Sequence, residues 1–372
     1  MREAAGADVL VIGGGVAGLS VAWEAAGLGM GVTVLDRATL GGGATHAAAG
    51  MLSPLDEAHR GEALLRFAVC GLRAYPDWVG ELETESGLSS AYRGGGRLGA
   101  AVSESHVGPL RELERVAADH GLRAEWIESA DLPAVAPALA LGLLGGLLLP
   151  DDHRVDNRAL AGVLEEACRR RGVRLNPGTA VRSLLIEGGR ARGLRLEDGR
   201  TIECGMVVVA AGAWAGRLAG LPRPLRVRPV RGQMLAVRPS APIASRVLGS
   251  PDVYLVPRDD GRLLVGATVE DVGFAEANTV EGTVGLLGAA LSLVPSLGSA
   301  PVVEAWSGLR PGTEDGLPIL GADPEVEGLY YATGHFRSGI LLAPVTGRVF
   351  RELFAHGQSS LLPPELSAAR LA

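Results

Sequence analysis

Hydrophobic and polar positions near the start of the chain predict a strand, a helix and a second strand. Residues 8–12 end in a continuous apolar run, residues 19–28 are rich in alanine, and residues 32–35 are again mostly apolar. The glycine-rich segment GGGVAG lies between the first strand and the helix. Short apolar runs bounded by turn residues are typical of buried strands, and longer alanine-rich runs of helices. The pattern therefore predicts a βαβ unit.

Three further stretches repeat their apolar residues at helical spacing. They cover residues 63–82, roughly 104–120, and a segment after residue 157. The third segment has Asp156 or Asn157 in position to cap its start. Its apolar face is predicted to consist of Leu160, Val163, Leu164, Ala167 and Cys168. We therefore interpret Cys168 as a core residue.

Short strands replace helices from Val173 onwards. The segments VRL, AVRSLLIE, ARGLRLE and RTIE, with GG and DG turns, predict a β-meander attached to a sheet that continues in MVVVAAG. A second strand-rich region begins near Leu221, contains a hairpin turning at residues 259–261, and closes near Trp306. A last strand at 328–332 and a helix at 339–356 follow. The fold class is therefore α/β with an interleaved second, largely antiparallel domain.

Composition narrows the possible partners and the compartment. The 372 residues carry a net charge of -7, and all 35 basic residues are arginine, so the chain offers no overall field for a nucleic acid. The cysteines Cys70, Cys168 and Cys204 are far apart and form no paired motif, and the seven histidines show no metal-ligand spacing. We expect neither disulfides nor a metal site, and a reducing cytoplasmic location.

The longest uncharged run, residues 132–149, reaches the 18 residues at which a membrane span is considered. Prolines and glycines interrupt it, so we interpret it as a buried strand and loop and keep a membrane-surface patch as the alternative. Few residues precede the first strand, so no signal peptide is expected there.

A GxGxxG motif formed by Gly13, Gly15 and Gly18 lies between the first strand and its helix, and Asp36 ends the second strand eighteen residues after Gly18. Glycines there permit a tight turn and a close pyrophosphate, the helix start offers N–H groups, and the acidic residue can bind ribose hydroxyls. This context predicts a dinucleotide site. The motif alone leaves FAD and NAD open, because both contain ADP.

Four longer segments separate the two cofactors. They are TLGGGATHAAAGML (39–52), VVVAAGAWAGRLA (207–219), WSGLRPGTEDGLPILG (306–321) and YYATGHFRSGILLAPVTG (330–347). Together they resemble the D-amino-acid oxidase family of FAD enzymes, most closely its glycine-oxidising members that serve thiazole and thiamine synthesis. The resemblance implies a Rossmann-like FAD-binding domain with a β-meander (1–85, 150–220, 310–372). It also implies an interleaved α+β substrate domain (86–149, 221–309).

The resemblance also assigns cofactor contacts. Besides the three glycines, the ADP part of the flavin would contact Val16, Ala17, Asp36 and Arg37, and its adenine side Val181. The isoalloxazine region would contact Ala44, Thr45, Ala49, Gly50 and Met51, and the ring His335, Phe336, Arg337, Ser338, Gly339, Ile340 and Leu341. A helix opening near Gly339 would direct its N–H groups toward reduced flavin.

The family binds an amino-acid carboxylate with an arginine and a tyrosine, which match Arg310 and Tyr254, while Arg337 matches a second arginine near flavin and substrate. These three residues are the implied catalytic and substrate-binding groups, together with Met51. Val269 stands where these enzymes often have methionine, so the exact substrate stays open. No cysteine follows Cys204, so noncovalent FAD is expected.

The implied reaction is oxidation of glycine, small N-alkyl glycines or small D-amino acids to an imine that hydrolyses to glyoxylate, with dioxygen reduced to hydrogen peroxide. The expected partners are the amine substrate, dioxygen and a thiazole synthase that receives the imine. A homotetramer is implied by the family alone, and neither a nucleic acid nor a transmembrane span is expected. His46 is a lesser candidate for acid or base.

Two other functions stay open at this stage. A dehydrogenase that passes electrons to a quinone could use the apolar residues 132–149. A flavin module that modifies tRNA could use an arginine-rich stretch, which we interpret first as a solvated face with ion pairs. That stretch contains Arg217, Arg223, Arg226, Arg228, Arg231 and Arg238.

Overall fold

A computed structural model describes residues 7–371 of the chain. Its strands are β1 (Val9–Ile12), β2 (Val32–Leu35), β3 (Met51–Leu52), β4 (Arg97–Ala100), β5 (Glu125–Glu128), β6 (Gly145–Leu149), β7 (His153–Arg154), β8 (Arg174–Asn176), β9 (Val181–Glu187), β10 (Arg190–Leu196), β11 (Thr201–Glu203), β12 (Val207–Val209), β13 (Val227–Val237), β14 (Val247–Gly249), β15 (Tyr254–Pro257), β16 (Leu263–Gly266), β17 (Val302–Thr313), β18 (Ile319–Ala322) and β19 (Leu329–Thr333).

The helices are α1 (Val16–Gly27), α2 (Ala44–Ala47), α3 (Glu62–Ser86), α4 (Glu104–Asp119), α5 (Leu132–Val135), α6 (Asn157–Arg170), α7 (Val280–Leu293) and α8 (Gly339–His356). The predicted helices at 63–82, 104–120, 157 onwards and 339–356 are thereby confirmed. Asp156 caps α6, since its carboxylate accepts from the backbone N–H groups of Arg158 and Ala159. Cys168 on α6 is buried in the core, as predicted.

The nucleotide-binding motif lies on a six-stranded sheet with the order β18-β19-β12-β1-β2-β8. All neighbours in this sheet are parallel except β18, which runs antiparallel to β19. The predicted βαβ unit is confirmed as β1, α1 and β2. Parallel neighbours place the carboxyl ends of their strands at one edge, where ligands of such sheets bind.

The two faces of this sheet have different covers. Val9 and Val11 of β1 face a core shared with α1, α3, α6 and α8, while Leu10 and Ile12 face the three-stranded antiparallel sheet β11-β10-β9. Alternation of side chains along a strand produces this division. The meander is thus a separate sheet packed on the nucleotide sheet. The segment predicted as its first strand is instead β8, which pairs with β2.

An eight-stranded, largely antiparallel sheet has the order β17-β13-β16-β15-β14-β4-β6-β5. One of its faces packs on α7 and on the segment around 132–143. The other face carries Met234, Val256 and Leu264 and packs toward Ala49 and Met51. Strands from two distant parts of the chain form it, which agrees with the predicted interleaving.

Two sequence predictions change in detail. Residues 132–149 contain the predicted strand, β6, but begin with the short helix α5 where a strand or loop was expected. Among residues 7–371, no helix combines the length and apolar character needed to cross a membrane. The domain division stays a prediction, and its boundary at 309/310 falls inside β17, which pairs with β13 along its whole length.

Candidate active site

A large cavity of about 1300 Å³ is lined by residues from the six-stranded and the eight-stranded sheets. Its volume exceeds the ~300–1,000 Å³ typical of small-ligand pockets, so it can hold a dinucleotide and a small substrate together. Of the predicted cofactor residues, the lining includes Gly13, Gly15, Val16, Ala17, Asp36, Arg37, Ala44, Thr45, Ala49, Gly50, Met51, Val181 and all of 335–341. The predicted substrate residues Tyr254, Val269 and Arg310 also line it.

Gly18 is the exception among the predicted site residues, because it does not line the cavity. A Cβ at Gly18 would lie 2.0 Å from the carbonyl oxygen of Gly13, so this glycine lets α1 pack closely on the turn. Gly13 has a φ of 107°, and a Cβ there would lie 2.3 Å from the Ala210 oxygen. A Cβ at Gly15 would approach protein no closer than 3.4 Å, at Thr45 Oγ1. The open side of Gly15 therefore faces the cavity and fits a pyrophosphate.

The start of α1 has backbone N–H groups at this same place. The N-cap residue, Gly15, has no side chain that could cap the helix. The N–H of Val16 donates to Thr45 Oγ1 at 3.0 Å. A helix N-terminus of this kind carries a partial positive charge. It can bind the phosphates of a dinucleotide.

Asp36 joins the end of β2 to the glycine turn. Its Oδ2 accepts from the N–H of Gly14 at 2.7 Å and its Oδ1 from the N–H of Ala38 at 2.8 Å. These charge-assisted bonds fix the carboxylate at the cavity wall. Asp36 thus lines the cavity beside the glycine turn, and its ribose-binding role stays a prediction.

Four side chains stack beside the nucleotide end of the cavity. The Arg37 guanidinium lies 3.7 Å from the Trp214 ring centroid, and the Arg217 guanidinium lies 3.8 Å from that of Phe274. The centroids of the Trp214 and Phe274 rings are 5.5 Å apart. Cation–π contacts of this kind are worth about 0.5–2 kcal/mol each. They connect the end of β2 to the loop 267–279 of the larger sheet.

The start of α8 forms another wall. His335 is buried and its Nε2 lies 3.1 Å from Thr346 Oγ1. Burial, with a smaller effect of the Arg60 charge, lowers the pKa of His335 to about 4, so the ring is neutral at pH 7. Phe336 has a φ of 52°, and its N–H donates to the Pro311 oxygen at 2.9 Å. The turn before α8 is thus held against β17, and the helix begins at Gly339 as predicted.

Arg310 projects from β17 into the opposite end of the cavity. Its Nη1 donates to the backbone oxygens of Thr268 at 3.0 Å and Arg231 at 3.3 Å. The hydrogen bonds described for Arg310 use Nη1 alone, so Nε and Nη2 can pair with a ligand carboxylate. Burial lowers the pKa of Arg310 from its usual value, which still leaves it charged at neutral pH.

Tyr254 stands beside Arg310 on β15. Its hydroxyl lies 3.3 Å from Met234 Sδ, to which it donates a weak hydrogen bond. Burial raises the pKa of Tyr254, and the Arg310 charge offsets part of that effect. The phenol is therefore protonated and can donate to a carboxylate. Arg310 and Tyr254 are brought together as the sequence predicts.

Arg337 lines the cavity but already has an anionic partner. Its Nε donates to Glu57 Oε1 at 3.1 Å, and its Nη2 donates to the Asp56 backbone oxygen. Glu57 is buried and also accepts from Ser338 Oγ at 2.5 Å. Burial raises the pKa of Glu57, but the charges of Arg337 and Arg60 outweigh it and hold the pKa below its usual value. A direct substrate role for Arg337 stays a prediction.

Sequence reasoning missed a charged group at this end. Arg97 on β4 pairs with Asp56 Oδ1 at 2.7 Å and Asp152 Oδ2 at 2.9 Å, and both Asp56 and Arg97 line the cavity. The three residues are far apart in the chain, and none lies in a recognisable motif. The apolar face of α4, with Leu110 and Leu113, also lines the cavity. The sequence predicts an apolar helix face here, but it does not predict that this face borders the cavity.

Other candidates lie elsewhere. His46 is exposed and is not among the lining residues. Four arginines of the arginine-rich stretch form ion pairs, as interpreted from the sequence; they are Arg223, Arg226, Arg228 and Arg231. The stretch is not one solvated face, because Arg231 is buried and Arg217 lines the cavity. Within residues 7–371, no group of three or more potential metal ligands occurs. Val269 is 64% exposed, at the edge of the cavity.

The chain is similar to known proteins in sequence and in fold. The bifunctional protein ThiO/ThiG of Trichormus variabilis is 39% identical over 360 residues, which are 95% of this chain and 54% of that protein. The chain thus spans about half the length of the curated relatives that it matches at 36–39% identity.

Two solved structures share the fold over nearly the whole chain. Glycine oxidase from Geobacillus kaustophilus has a TM-score of 0.93 and 33% identity and covers 98% of each chain. Iminodiacetate oxidase from Chelativorans sp. BNC1 has a TM-score of 0.86 and 29% identity and covers 96% of this chain and 98% of that one. The mixed α/β fold with its two large sheets is therefore one that a glycine oxidase and an iminodiacetate oxidase adopt.

The sequence profile described as "DAO: FAD dependent oxidoreductase" matches residues 8–353, which include the glycine turn, Asp36, Tyr254, Arg310 and the start of α8. On that match, the chain belongs to the DAO family of FAD dependent oxidoreductases.

Proposed function

We propose that the chain oxidises glycine, with small N-alkyl glycines and small D-amino acids as secondary substrates. The observation that carries this proposal is Arg310. Its guanidinium lies inside the cavity, is held by two backbone oxygens, and keeps N–H groups for a carboxylate. The likeness to glycine oxidase from Geobacillus kaustophilus supports the same substrate.

The residues of this end bind and orient the substrate. Arg310 and Tyr254 would hold the carboxylate, because a bidentate guanidinium and a phenol supply donors in a fixed geometry. The side chains of Met51 and Met234, with Ala267, give this end an apolar lining that excludes water. Exclusion of water strengthens the carboxylate contacts. Positioning of the amine and the α-carbon is then the main catalytic contribution of the protein.

FAD, the cofactor of this family, would supply the acceptor for a hydride from the α-carbon. In the overall balance, glycine, water and dioxygen give glyoxylate, ammonia and hydrogen peroxide. Gly15, the start of α1 and Asp36 would hold its ADP part, and the start of α8 its ring. We propose that FAD is held noncovalently, because none of the three cysteines is a lining residue.

Addition of glycine to the purified holoprotein without oxygen tests the proposal. We expect the visible flavin absorbance to bleach, and glyoxylate and hydrogen peroxide to form once air is admitted. A flavin that bleaches with sarcosine or D-proline but not with glycine would refute the substrate assignment and leave the family intact.

Arg310→Ala gives the matching prediction for the site. We expect a loss of roughly 2–5 kcal/mol in carboxylate binding, about 30-fold to several thousand-fold in affinity, with FAD still bound. The dissociation constant of methoxyacetate, a carboxylate that carries no amine, measures this by flavin absorbance. Unchanged affinity would show that the carboxylate binds elsewhere.

We further propose that the imine is transferred to a thiazole synthase, as the two-part name of the relatives suggests. We expect a cytoplasmic homotetramer. A pull-down with the thiazole synthase of the same organism and size-exclusion chromatography with light scattering test these two points.

A further inference from the structure

Three arginines line the substrate end of the cavity, and two of them have carboxylate partners. Arg97 pairs with Asp56 at 2.7 Å, and with Asp152 behind it at 2.9 Å. Arg337 pairs with Glu57 at 3.1 Å. A paired cation attracts a further anion far less than a free one does.

Arg310 differs from these two arginines. Its described hydrogen bonds go to the neutral backbone oxygens of Arg231 and Thr268. Among the three lining arginines, Arg310 is therefore the one that is held in place without a carboxylate. The arrangement matches a ligand that brings one carboxylate.

Of the two carboxylates that pair with Arg97, Asp56 is the one that lines the cavity. Its side chain is 30% exposed and lines the cavity, whereas Asp152 is 4% exposed and lies behind Arg97. Burial raises the pKa of Asp152 to about 6, so this residue is only partly charged near that pH. Asp56 and Tyr254 both line the cavity, and burial, with a smaller effect of the Asp56 charge, raises the pKa of Tyr254.

We propose that Asp56 sets the charge selectivity of this site: the enzyme admits amino acids with one carboxylate and rejects those that carry a second carboxylate on the nitrogen substituent. The inference rests on the proposed function. A second carboxylate would approach Asp56 in a partly desolvated cavity, where like charges repel strongly. Asp56 also occupies Nη2 of Arg97, the group that could otherwise receive the second carboxylate.

Iminodiacetate is a suitable probe, because it is glycine with a carboxymethyl group on nitrogen and is the namesake substrate of one structural neighbour. Its monoamide has nearly the same shape without the second charge. Oxydiacetate and its monoamide contain an ether oxygen in place of the amine, so they report binding without turnover. The ratio of charged to neutral probe separates charge from size.

We expect the wild-type holoenzyme to oxidise iminodiacetate with a kcat/KM at least about tenfold below that of its monoamide, and to bind oxydiacetate correspondingly more weakly than its monoamide. Asp56→Asn should reduce both preferences by about tenfold or more. Asp56→Glu should keep them. The double variant Asp56→Asn/Arg97→Gln should keep the part of the gain that comes from removing the Asp56 charge and lose the part that comes from Arg97, because Asp56→Asn frees Nη2 of that cation.

Glu112→Gln is the matched control. Glu112 also lines the cavity, but it is exposed and paired with Arg115. Salt and water screen such a charge, so removing it should change the ratio by less than about twofold. An equal effect of Glu112→Gln and Asp56→Asn would overturn the local role of Asp56.

Two further results would overturn the proposal. One is a wild-type enzyme that treats the acid and the amide alike. The other is an Asp56→Asn variant that improves both probes equally, since the barrier would then be steric. A holoenzyme that binds the oxydiacetate monoamide but is not reduced by glycine would instead refute the proposed function. In that case the binding ratios would still decide the role of Asp56.

Discussion

Gly232 allows Arg310 to occupy its place in the cavity, and Gly232→Ala tests that dependence. Gly232 lies on β13 opposite Gly308 of β17. A Cβ at Gly232 would lie 2.3 Å from both Nη1 and Nη2 of Arg310. The guanidinium is the far end of a flexible side chain, so it can move while the strands keep their register.

The size of the effect follows from this geometry. Ordinary carbon contacts begin near 3.4 Å, so the guanidinium must move by about 1.1 Å, the difference between 3.4 and 2.3 Å. A misplacement of about 1 Å in a positioning group costs about 10²-fold in rate. We therefore expect kcat/KM for glycine to fall by about 10- to 100-fold. The free energy of unfolding should change by less than about 1 kcal/mol.

Anaerobic stopped-flow reduction of the flavin by glycine measures the effect, and urea unfolding measures stability. Gly312→Ala is the control, because a Cβ at Gly312 would meet Val230 and not Arg310. In the Arg310→Ala background, Gly232→Ala should have almost no further effect, since both changes act through one group. A kcat/KM within about threefold of wild type, or a full additional loss in that background, would refute the reasoning.

Three further predictions concern the cofactor and the charged residues. Asp36→Ala should weaken FAD binding by about 10- to 100-fold, because its carboxylate orders the N–H groups of Gly14 and Ala38; flavin fluorescence on titration of the apoprotein checks this. The pKa of His335 is about 4 in the folded protein and near 6.5 in the unfolded chain, so the unfolded chain binds the proton more tightly. The free energy of unfolding is therefore unaffected at pH 7 and falls as the pH is lowered from 6.5 toward 4. That loss is roughly 2 kcal/mol between pH 7 and 5, and urea unfolding of His335→Gln should show a flatter pH dependence than wild type. Glu57→Gln should lower the free energy of unfolding by about 3 kcal/mol, because it leaves the charges at Arg337 and Arg60 without their buried partner; a change below about 0.5 kcal/mol would contradict this.

Local sequence patterns predict much of the fold and of the cofactor-binding end of the cavity. Propensity and motif spacing predict three features, because each depends on residues that are adjacent in sequence. These features are the turn at Gly13, the strand end at Asp36 and the helix from Gly339. Tyr254 and Arg310 were predicted from family motifs alone. They meet because β13 pairs with both β16 and β17, which brings distant segments into one sheet.

The remaining features depend on tertiary packing. Arg97, Asp56 and Asp152 come from three separate segments, and nothing near any of them signals the other two. The sequence predicts VRL (173–175) as the first of the short strands of the meander, yet the strand formed there, β8, pairs with β2. Pairing partners are set by long-range burial, which a local pattern does not contain. Whether a lining arginine is already paired is likewise visible only in three dimensions.

The order of strands in the six-stranded sheet has a consequence for biosynthesis. β1 lies between β2 and β12, and β12 pairs in turn with β19, so the sheet cannot be completed before residue 333 has left the ribosome. The start of α8 emerges later still. Such non-local pairing slows folding, and the early βαβ unit must wait with an unpaired edge. Flavin capture is therefore a late event in the life of the chain, and flavin supply after translation, rather than during it, should govern the yield of loaded enzyme.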